Sequence, residues 1–390
     1  MKVLYLISVA GHGKGGHFHS LMSISEAMKA SVDVKIVTVG PGNSKLIESS
    51  PNFHQNIPFD SIPGRTFFKQ IGSVLKTLQP DVVHCFDERA YLLLALYLFL
   101  HRKKIPIVLN KCGGPNTANY PVAPSLVLFS MENLNYYKNH PGFSGSAIHL
   151  IANRVQKSET RKKHEIFEKL KPDFLIFKIA RISSFYQHSL SDAIKLVRTL
   201  LEKGCKNIRL CIIGTLENPD VMISLQQEAK GLPVEFITEP LITHKAADFL
   251  HYADMAICTG RGFMEASALG IPVLAKVKQS HIPFLVNEEN FESFFFYNFS
   301  ERTQLPGANA EENLQCILKV IADPAVHATY SAISARMFTT YFDVQGAVPK
   351  YLDVYKEAIR ESPKLFLSKN VRSVYKMFRF FYMNKKKVVA

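Results

Sequence analysis

The chain has 390 residues, of which 47% are hydrophobic, so two domains with substantial cores are expected and a disordered chain is excluded. Six scattered cysteines without a Cys-x-x-Cys pair exclude a disulfide-rich scaffold and fit the reduced thiols of a cytosolic protein. The net charge is +14, and eight basic residues but no acidic ones follow Glu361, so the basicity is concentrated in the tail. The N-terminus lacks a signal-peptide pattern, and the apolar run 91–100 is about half of the ~20 residues that span a membrane.

Apolar, strand-like runs alternate with helical patterns through the first part of the chain. Strands are predicted at 2–9, 33–40, 81–86, 106–110, 126–130 and 148–154, with a helix over 88–101. Alternation of this kind predicts βαβ units and a parallel sheet that is covered on both faces. Ligands of such sheets bind at the carboxyl ends of the strands, so the loops that follow strands are the places to look for chemistry.

The charged segment 157–173 is typical of a linker with a helical stretch, and the alternation restarts after it. Strands are predicted at 174–182, 208–215, 234–238, 255–260 and 272–277. Ser189 or Ser191 is expected to cap a helix that ends near Gly204. The sequence therefore predicts two doubly wound α/β domains, at 1–156 and 174–345, followed by C-terminal helices and a tail at 346–390.

The first predicted strand is followed by Gly11-His12-Gly13-Lys14-Gly15-Gly16, which matches the dinucleotide-binding pattern G-x-G-x-x-G. A dinucleotide site also needs an acidic residue at the end of the second strand. Here that strand ends Val37-Thr38-Val39-Gly40, and the nearby Asp33 precedes it. We therefore expect a loop that faces an anion or a sugar, rather than the NAD site of a dehydrogenase, with a purely structural turn as the alternative.

A second glycine loop lies in Thr259–Val273, which reads strand, loop, short helix, Gly-x-Pro, strand. Arg261 is expected in the loop, where it can meet a phosphate. Glu265 is expected in the first helical turn, where the helix dipole tolerates a carboxylate and where it can face a ligand. The alternative is a surface helix with a solvated Glu265 and with Gly270 as its C-terminal stop.

The run from Glu265 through Gly270 to Pro272 and Val273 resembles the donor-site signature of retaining glycosyltransferases with the GT-B fold, chiefly glycosyltransferase family 4. In that family this Glu holds the ribose hydroxyls of the nucleotide. The first Glu of the signature, which holds the donor sugar, falls at Ile257 in this chain. Gly260-Arg261-Gly262 stands nearby instead, so sugar recognition departs from the family pattern.

Weaker matches extend the resemblance over residues 1–345. Gly15-Gly16-His17 resembles the loop that faces the donor diphosphate and the acceptor, and Ala180-Arg181-Ile182 resembles the Gly-Arg-Leu whose Arg meets the diphosphate. Ile212-Ile213-Gly214 resembles a strand end near the nucleotide, and 152–155 resembles the segment that closes the N-terminal domain. The Lys that usually follows the Arg is replaced by Tyr186 and Gln187.

A third loop, Asn110–Asn116, also follows a strand. Lys111 is a candidate charge for a phosphate or the acceptor, whereas the sugar-contacting His of the family is absent near Cys112. Cys112 is expected to be a packed thiol rather than a nucleophile. Asp87 is expected to cap a helix rather than polarise an acceptor, and Glu132 is expected in a first helical turn capped by Ser130.

The resemblance implies an α/β enzyme of the GT-B type, with two facing Rossmann-like domains, an active site in their cleft and a C-terminal helical tail. Its candidate catalytic residues are His17 and Lys111, and its candidate donor-binding residues are Gly15, Gly16, Arg181, Gly214, Arg261, Gly262 and Glu265. It implies a retaining, metal-independent transfer from a nucleotide-diphosphate sugar, which is a co-substrate, and no cofactor. His12, His17 and His19 lack accompanying carboxylates, which agrees with the expectation of no metal.

Three alternative functions stay open, and one of them is a dehydrogenase, which would bind NAD. A nucleotide-sugar epimerase would use the same donor site without an acceptor. A non-catalytic nucleotide-sugar-binding protein would fit the missing first Glu, Lys and His of the family pattern.

The tail predicts a basic amphipathic helix, because charged and apolar side chains each recur at helical spacing. The basic positions are Lys369, Arg372, Lys376 and Arg379, and the apolar arc comprises Val371, Val374, Tyr375, Phe378, Phe381 and Tyr382. With Lys364 and Lys385–Lys387, residues 364–387 suit an anionic membrane surface. We therefore expect a cytoplasmic protein that is peripheral on the inner face of the plasma membrane and acts on a lipid-linked or cell-surface polysaccharide precursor of a bacterial envelope. A helix packed on the first domain is the alternative, and no nucleic-acid module is recognisable.

Overall fold

The computed structural model describes residues 1–13, 15–60, 62–158, 161–171, 173–361 and 367–388, with side chains as far as Met383. The chain divides into two compact units, each with its own parallel sheet. Unit 1 comprises Met1–Arg154 and Val344–Ala390, and unit 2 comprises Val155–Asp343. Two residues named in the sequence analysis lie outside the described residues, namely Lys14 of the glycine loop and Lys364 of the tail. The side chains of Lys385–Lys387 also lie outside them.

The sheet of unit 1 has seven strands in the order β3-β2-β1-β4-β5-β6-β7, all parallel. The strands are β1 (Lys2–Ser8), β2 (Asp33–Gly40), β3 (Phe53–Pro58), β4 (Val82–Cys85), β5 (Ile107–Lys111), β6 (Ser125–Leu128) and β7 (Ala147–Leu150). The central strands are buried on both faces, which explains why they read as continuous apolar runs rather than alternating ones.

The sheet of unit 2 has six strands in the order β10-β9-β8-β11-β12-β13, and only the β12–β13 pair is antiparallel. The strands are β8 (Phe174–Ile179), β9 (Ile208–Ile213), β10 (Val234–Ile237), β11 (Met255–Cys258), β12 (Val273–Ala275) and β13 (Phe284–Leu285). The predicted strands of both sheets are confirmed, while β3 and β13, both edge strands, were not predicted.

Helices cover both faces of each sheet. In chain order they are α1 (Gly16–Met28), α2 (Lys45–Glu48), α3 (Arg65–Leu78), α4 (Glu88–Leu100), α5 (Met131–Asn139), α6 (Glu165–Leu170), α7 (Gln187–Glu202), α8 (Pro219–Glu228), α9 (Pro240–Thr243), α10 (Arg261–Ala268), α11 (Phe291–Phe296), α12 (Ala310–Ala322), α13 (Pro324–Met337), α14 (Val348–Arg360) and α15 (Val371–Val388). Among the described helices, none combines the length and the apolar character that a membrane span requires.

Two predicted helix caps are confirmed and one is wrong. Asp87 caps α4 and Ser130 caps α5, each through its side-chain oxygen. The start of α7 differs from the prediction, because Leu190 N already bonds to Tyr186 O (3.0 Å) and the helix begins at Gln187. Ser189 is therefore buried inside the helix, and the hydroxyl of Ser191 instead donates to Glu228 (2.8 Å).

The segment 157–173, predicted to be a linker with a helical stretch, contributes to the core of unit 2 over part of its length. Its helical stretch is α6, and Phe167 in that helix is fully buried against the aromatic rings of Phe177, Phe249 and Tyr252. Complete burial of a phenylalanine is worth about 1.5–3 kcal/mol, so this part of the segment is fixed to unit 2 rather than free between domains.

The C-terminal segment, predicted as a separate tail, belongs to unit 1. Helix α14 buries Tyr355, whose hydroxyl lies 2.9 Å from the hydroxyl of Tyr5 on β1 and 2.8 Å from His84 Nδ1 on β4. Helix α15 buries Met377 and Phe381 in the core of unit 1, where the ring of Phe381 lies 4.8 Å from that of Phe59. These contacts join residues far apart in the sequence, and they explain why the segment packs on unit 1 rather than forming a separate tail.

Candidate functional site

Candidate residues of unit 2 lie where β8 and β9 end side by side. The loops after these strands are joined by backbone hydrogen bonds from Ile182 N to Thr215 O (2.9 Å) and from Glu217 N to Ile182 O (3.0 Å). Arg181 projects from the first loop, and its Nη1 lies 3.0 Å from Glu217 Oε1 in the second. The guanidinium is also 5.4 Å from the ring of Tyr186, which stands where the family pattern has a Lys.

Gly214, a predicted donor-binding residue, has a structural reason to be glycine. A Cβ at this position would lie 1.8 Å from Ala180 O, so any larger residue would push the two loops apart. The glycine thus holds the ends of β8 and β9 together beside Arg181. A role in binding a nucleotide is a separate property that stays a prediction.

The next strand of the sheet, β11, leads into the second predicted constellation. Gly260 has φ +51°, in the range that favours glycine, and is the residue before α10, so the helix begins at Arg261. Arg261 Nε donates to Glu265 Oε1 at 2.7 Å, one helical turn further on. Glu265 therefore lies beyond the first turn, which corrects the predicted placement, because the positive-φ glycine starts the helix early.

Gly262, the other predicted glycine of this loop, is not required by packing. A Cβ there would meet Cys258 at 3.7 Å, an ordinary van der Waals contact. Because β8 and β11 are neighbours in the sheet, with Lys178 opposite Ile257, the Arg181 loop and the start of α10 emerge from adjacent strand ends. The structure thus brings the two predicted donor-binding segments to one edge of unit 2.

A charged cluster at the same edge was missed by the sequence reasoning. Asp192 on α7 is almost fully buried and binds the ammonium of Lys276, which follows β12. Lys178 on β8 is 2% exposed, and burial lowers its pKa while the nearby Cys258, Glu301 and Asp192 oppose that shift. Two buried ammonium groups therefore share the neighbourhood of one buried carboxylate. Asp192 and Lys276 are 84 positions apart in the sequence, so no local spacing predicts their contact.

The same carboxylate faces two exposed imidazoles. His281 Nδ1 lies 3.1 Å and His188 Nε2 lies 3.6 Å from the oxygens of Asp192. Their ligand atoms lie within 4.8 Å of one another, and within the described residues this is the group whose spacing resembles a metal site. The ammonium of Lys276 already compensates the carboxylate, which disfavours a dication. His12, His17 and His19 do not belong to such a group.

In unit 1, the glycine loop after β1 leads directly into α1. Gly15 is the residue before the helix, which therefore has no side-chain cap. A Cβ at Gly16 would meet nothing within 4 Å. His17, the next residue, packs its ring 4.2 Å from the ring of Phe18. Burial lowers the pKa of His17, an effect opposed by Asp87 and reinforced by Arg89, so its imidazole is neutral at pH 7.

Asp87 and Asp33, the acidic residues considered for this loop, have structural roles. Asp87 accepts from the hydroxyl of Ser8 (2.8 Å) and from the backbone N–H groups of Arg89 (2.9 Å) and Ala90 (3.0 Å). Its carboxylate is thus occupied as the cap of α4, in agreement with the sequence. Asp33 is the first residue of β2 and lies at the amino edge of the sheet, away from the glycine loop. From Val34 to Gly40, the rest of β2, there is no acidic residue in the ribose-binding place of a dinucleotide site.

Lys111 ends β5 and organises the loop that follows it. Its Nζ donates to Gly113 O (3.0 Å) and Pro115 O (3.2 Å) and lies 4.8 Å from the centroid of the Tyr120 ring. The side chain is 7% exposed, so it shapes this loop from within. The catalytic role expected for Lys111 stays a prediction, and its contacts favour a positioning role.

Two further sequence expectations concern neighbours of Lys111. Burial raises the pKa of the Cys112 thiol to about 12, so this thiol is protonated at neutral pH and is not an activated nucleophile. Glu132 lies in the first turn of α5, as expected, after the capping residue Ser130. Both positions therefore match the structural rather than the catalytic interpretation of the sequence.

Sequence comparisons find no matching family model and no matching curated protein. Solved structures do match over the whole length. HepE of Anabaena in complex with UDP-glucose has a TM-score of 0.64 at 15% identity, covering 92% of this chain and 100% of that one. Sucrose-phosphate synthase of Thermosynechococcus elongatus has a TM-score of 0.64 at 14% identity, covering 92% and 99%. The fold is GT-B.

The GT-B fold is shared by enzymes of more than one kind. UDP-GlcNAc 2-epimerase of Neisseria meningitidis, bound to UDP-GlcNAc, matches with a TM-score of 0.56 at 13% identity, covering 92% of this chain and 100% of that one. At such identities the likeness establishes architecture, and the choice of reaction has to come from this chain's own residues.

Proposed function

We propose that the protein is a glycosyltransferase that moves a sugar from a nucleotide-diphosphate sugar to an acceptor, with retention of the anomeric configuration and without a metal ion. The observation that carries the proposal is the pair of segments that follow adjacent strand ends of unit 2, a loop that presents Arg181 and the start of helix α10, which presents Arg261 and Glu265. Matching structures that hold UDP, UDP-glucose and UDP-GlcNAc support a nucleotide sugar as the ligand.

On this proposal, unit 2 binds the donor. Glu265 accepts hydrogen bonds from the ribose hydroxyls, while Arg181 and Arg261 bind the diphosphate and stabilise the negative charge that develops on it as the sugar leaves. Gly262 leaves the backbone at the start of α10 accessible to the nucleotide, while Gly214 holds the Arg181 loop in place beside it. Because Arg181 contacts Glu217 and Arg261 contacts Glu265, donor binding on this proposal exchanges the partner of each arginine.

Unit 1 would bind the acceptor. His17 has a lowered pKa, so its neutral imidazole can accept a hydrogen bond from an acceptor hydroxyl or take its proton. Gly15 gives room to the His17 ring, which would lie 3.1 Å from a Cβ there, and a Cβ at Gly16 would meet nothing within 4 Å. Lys111 fixes the shape of the loop after β5. The resemblance of the Glu265–Val273 run to glycosyltransferase family 4 is the reason for proposing that family and retention.

The acceptor class follows from the tail. The outward side of α15 carries Val371, Tyr375 and Tyr382, each about two-thirds exposed, together with Arg372 and Arg379. Basic and aromatic side chains on one surface suit an anionic membrane interface. We therefore propose a cytoplasmic, peripheral enzyme of cell-envelope polysaccharide synthesis, with a lipid-linked or surface-polysaccharide acceptor.

Two other functions have specific support. Two UDP-GlcNAc 2-epimerases match the fold, one of them bound to UDP-GlcNAc, so an epimerase is the second candidate. Ile257 at the place of the family's first Glu, with Tyr186 and Gln187 at the place of its Lys, favours a protein that binds a nucleotide sugar without turnover.

One assay separates the three. UDP-sugars, and then sugars of the other nucleotides, are incubated with the full chain in the presence and absence of bacterial membrane lipids, and both free nucleotide and sugar epimers are measured. The proposal expects nucleotide release that depends on the lipids and is lost in Glu265→Ala. Epimer formation without lipids identifies the epimerase, and binding without any turnover identifies the binding protein.

A further inference from the structure

A groove of about 220 Å³ runs between α4 and α15 in unit 1. Its volume is several times the ~30 Å³ that one water molecule occupies in the liquid. We propose that this groove binds the anionic phosphate head group of a membrane amphiphile, and that such a phosphate-bearing lipid is the acceptor class of the enzyme. The role as acceptor rests on the proposed function, whereas the binding site stands on its own residues.

The charges of the groove favour an anion. Arg89 lines it from α4 and Lys376 from α15, while Glu88 is the acidic residue of the lining. In the described part of the chain, neither Arg89 nor Lys376 forms an ion pair. The sequence after Glu361 holds basic but no acidic residues, so the field around the α15 side of the groove is positive. A phosphate would therefore find two cations without carboxylate partners.

The groove is also apolar on one side, which distinguishes it from a plain anion site. Leu92, Met377 and Phe380 line it, and Met377 belongs to the core of unit 1. Arg89 lies with its Cζ 3.7 Å from the centroid of the Phe380 ring, which fixes the guanidinium against the groove wall. A ligand that fits this combination carries a charged head and an adjoining apolar part.

Helix α15 is anchored to the loops at the acceptor edge of unit 1. Ser373 Oγ donates to Asn119 O at 2.8 Å, and Asn370 bonds to both the N–H (2.8 Å) and the C=O (2.9 Å) of Val122. These residues follow the loop that Lys111 organises. Glu88, which lines the groove, directly follows Asp87 in the sequence. Asp87 caps α4, and its carboxylate raises the pKa of His17 against the effect of burial.

The other side of α15 explains why the occupant is a membrane lipid rather than a free phosphate ester. Tyr375, Tyr382 and Met383 are each more than 60% exposed there, beside Arg379. Exposed aromatic and basic side chains lie at the water–lipid boundary when a helix rests on a bilayer. A helix lying in this way brings its groove side to the level of the lipid head groups.

The test uses the full chain, no nucleotide sugar, and dihexanoyl phosphatidic acid below its micelle concentration as the probe. We expect saturable binding by calorimetry, with both inorganic phosphate and dihexanoyl phosphatidylcholine at least about tenfold weaker, because each lacks one half of the match. Lys376→Glu is expected to weaken binding of phosphatidic acid about tenfold or more, since it replaces a charge-assisted contact with repulsion. Lys230→Glu, an exposed lysine on unit 2, is the charge-matched control and should leave binding unchanged.

Several results would overturn the proposal. Equal binding of phosphatidylcholine, a zwitterion, would mean that the groove does not recognise the net negative charge of the head group, and equal binding of inorganic phosphate would mean a free-phosphate site. Unchanged binding by Lys376→Glu, with an unchanged melting temperature, would place the site elsewhere. Arg89→Gln gives an independent check from α4 and is expected to weaken binding as well. Transfer activity without groove binding rejects this inference alone. Groove binding without transfer rejects the proposed function and with it the acceptor role, while the binding site itself stands.

Discussion

The two units present their cations in different ways at the carboxyl edges of their sheets. In unit 2, Arg181, Arg261 and Lys276 each contact a carboxylate, from Glu217, Glu265 and Asp192. In unit 1, Lys111 and Arg89 make contacts with neutral groups. Lys111 donates to backbone carbonyls, and Arg89 stacks on the ring of Phe380.

On the proposed function, this difference predicts two modes of anion binding. A diphosphate that binds to unit 2 has to take an arginine from its carboxylate, so its affinity depends on how tightly that carboxylate holds the arginine. An anion that binds beside Arg89 displaces no carboxylate, because Arg89 forms no ion pair with a described residue and stacks on the ring of Phe380.

The largest expected effect is on UDP binding and comes from a change at Glu265 of unit 2. Glu265→Ala removes the proposed hydrogen bonds with the two ribose hydroxyls, and this loss outweighs the release of Arg261 from its partner. Losing two hydrogen bonds to a charged acceptor should raise the dissociation constant of UDP about 100-fold, measured by calorimetry. Glu202→Ala, an exposed glutamate at the end of α7, is the control and should bind UDP as the wild type does. Equal affinities in the two variants would remove Glu265 from the site.

The next effect tests the glycine loop of unit 1. Gly16→Ala should keep the melting temperature, because a Cβ there meets nothing within 4 Å, yet it should lower the rate of sugar transfer about tenfold by occupying the space beside His17. Gly64→Ala is a matched control, since Gly64 also lies at a helix start with nothing within 4 Å of a Cβ. If both variants keep full activity, the loop does not approach a ligand.

A smaller effect tests partner exchange itself. Arg181→Ala should weaken UDP binding about tenfold, through loss of a charge-assisted contact. Glu217→Gln should do the reverse and tighten it about threefold, because it releases Arg181 from competition. Arg209→Ala removes an arginine that is paired with Asp173 and Glu235 at the amino end of the same sheet and should leave UDP binding unchanged. Weaker binding by Glu217→Gln would show that Glu217 orients Arg181 rather than competing for it.

The smallest effect is a shift in pH dependence. The lowered pKa of His17 keeps its imidazole neutral, so transfer should stay constant as the pH falls through about 6.5 and decline only below it. Arg89 reinforces that lowering, so Arg89→Gln should move the acidic decline to higher pH. The measurement is kcat/KM against pH for both proteins. A decline centred at or above the ordinary histidine pKa in the wild type would exclude this role for His17.

The sequence predicts the sheets well where strands are buried on both faces, because such strands read as unbroken apolar runs. It misses β3 (Phe53–Pro58), since an edge strand with polar residues carries little of that pattern, and β13, since two residues form no pattern at all. The start of α10 is misplaced because the positive φ of Gly260 is a property of the fold rather than of local propensity.

The candidate site is predictable to the extent that it is local in sequence. The run from Arg261 to Gly270 can be recognised from spacing, and the contact of Arg261 with Glu265 follows from their separation by one turn. The Lys276–Asp192 contact and the burial of Phe381 on Phe59 join distant parts of the chain. No spacing rule reaches such contacts, so the packing of α15 on unit 1 emerges only from the folded structure.

Hydrogen–deuterium exchange of the full chain with saturating UDP, with NAD as the comparison ligand, tests the central claim most directly. A nucleotide held by unit 2 should slow exchange in the loop around Arg181, at Gly214–Glu217 and at the start of α10, and should leave residues 9–20 unchanged. NAD should slow exchange nowhere. Protection by either ligand confined to residues 9–20, or no protection by UDP and the diphosphates of the other nucleosides, would contradict the account.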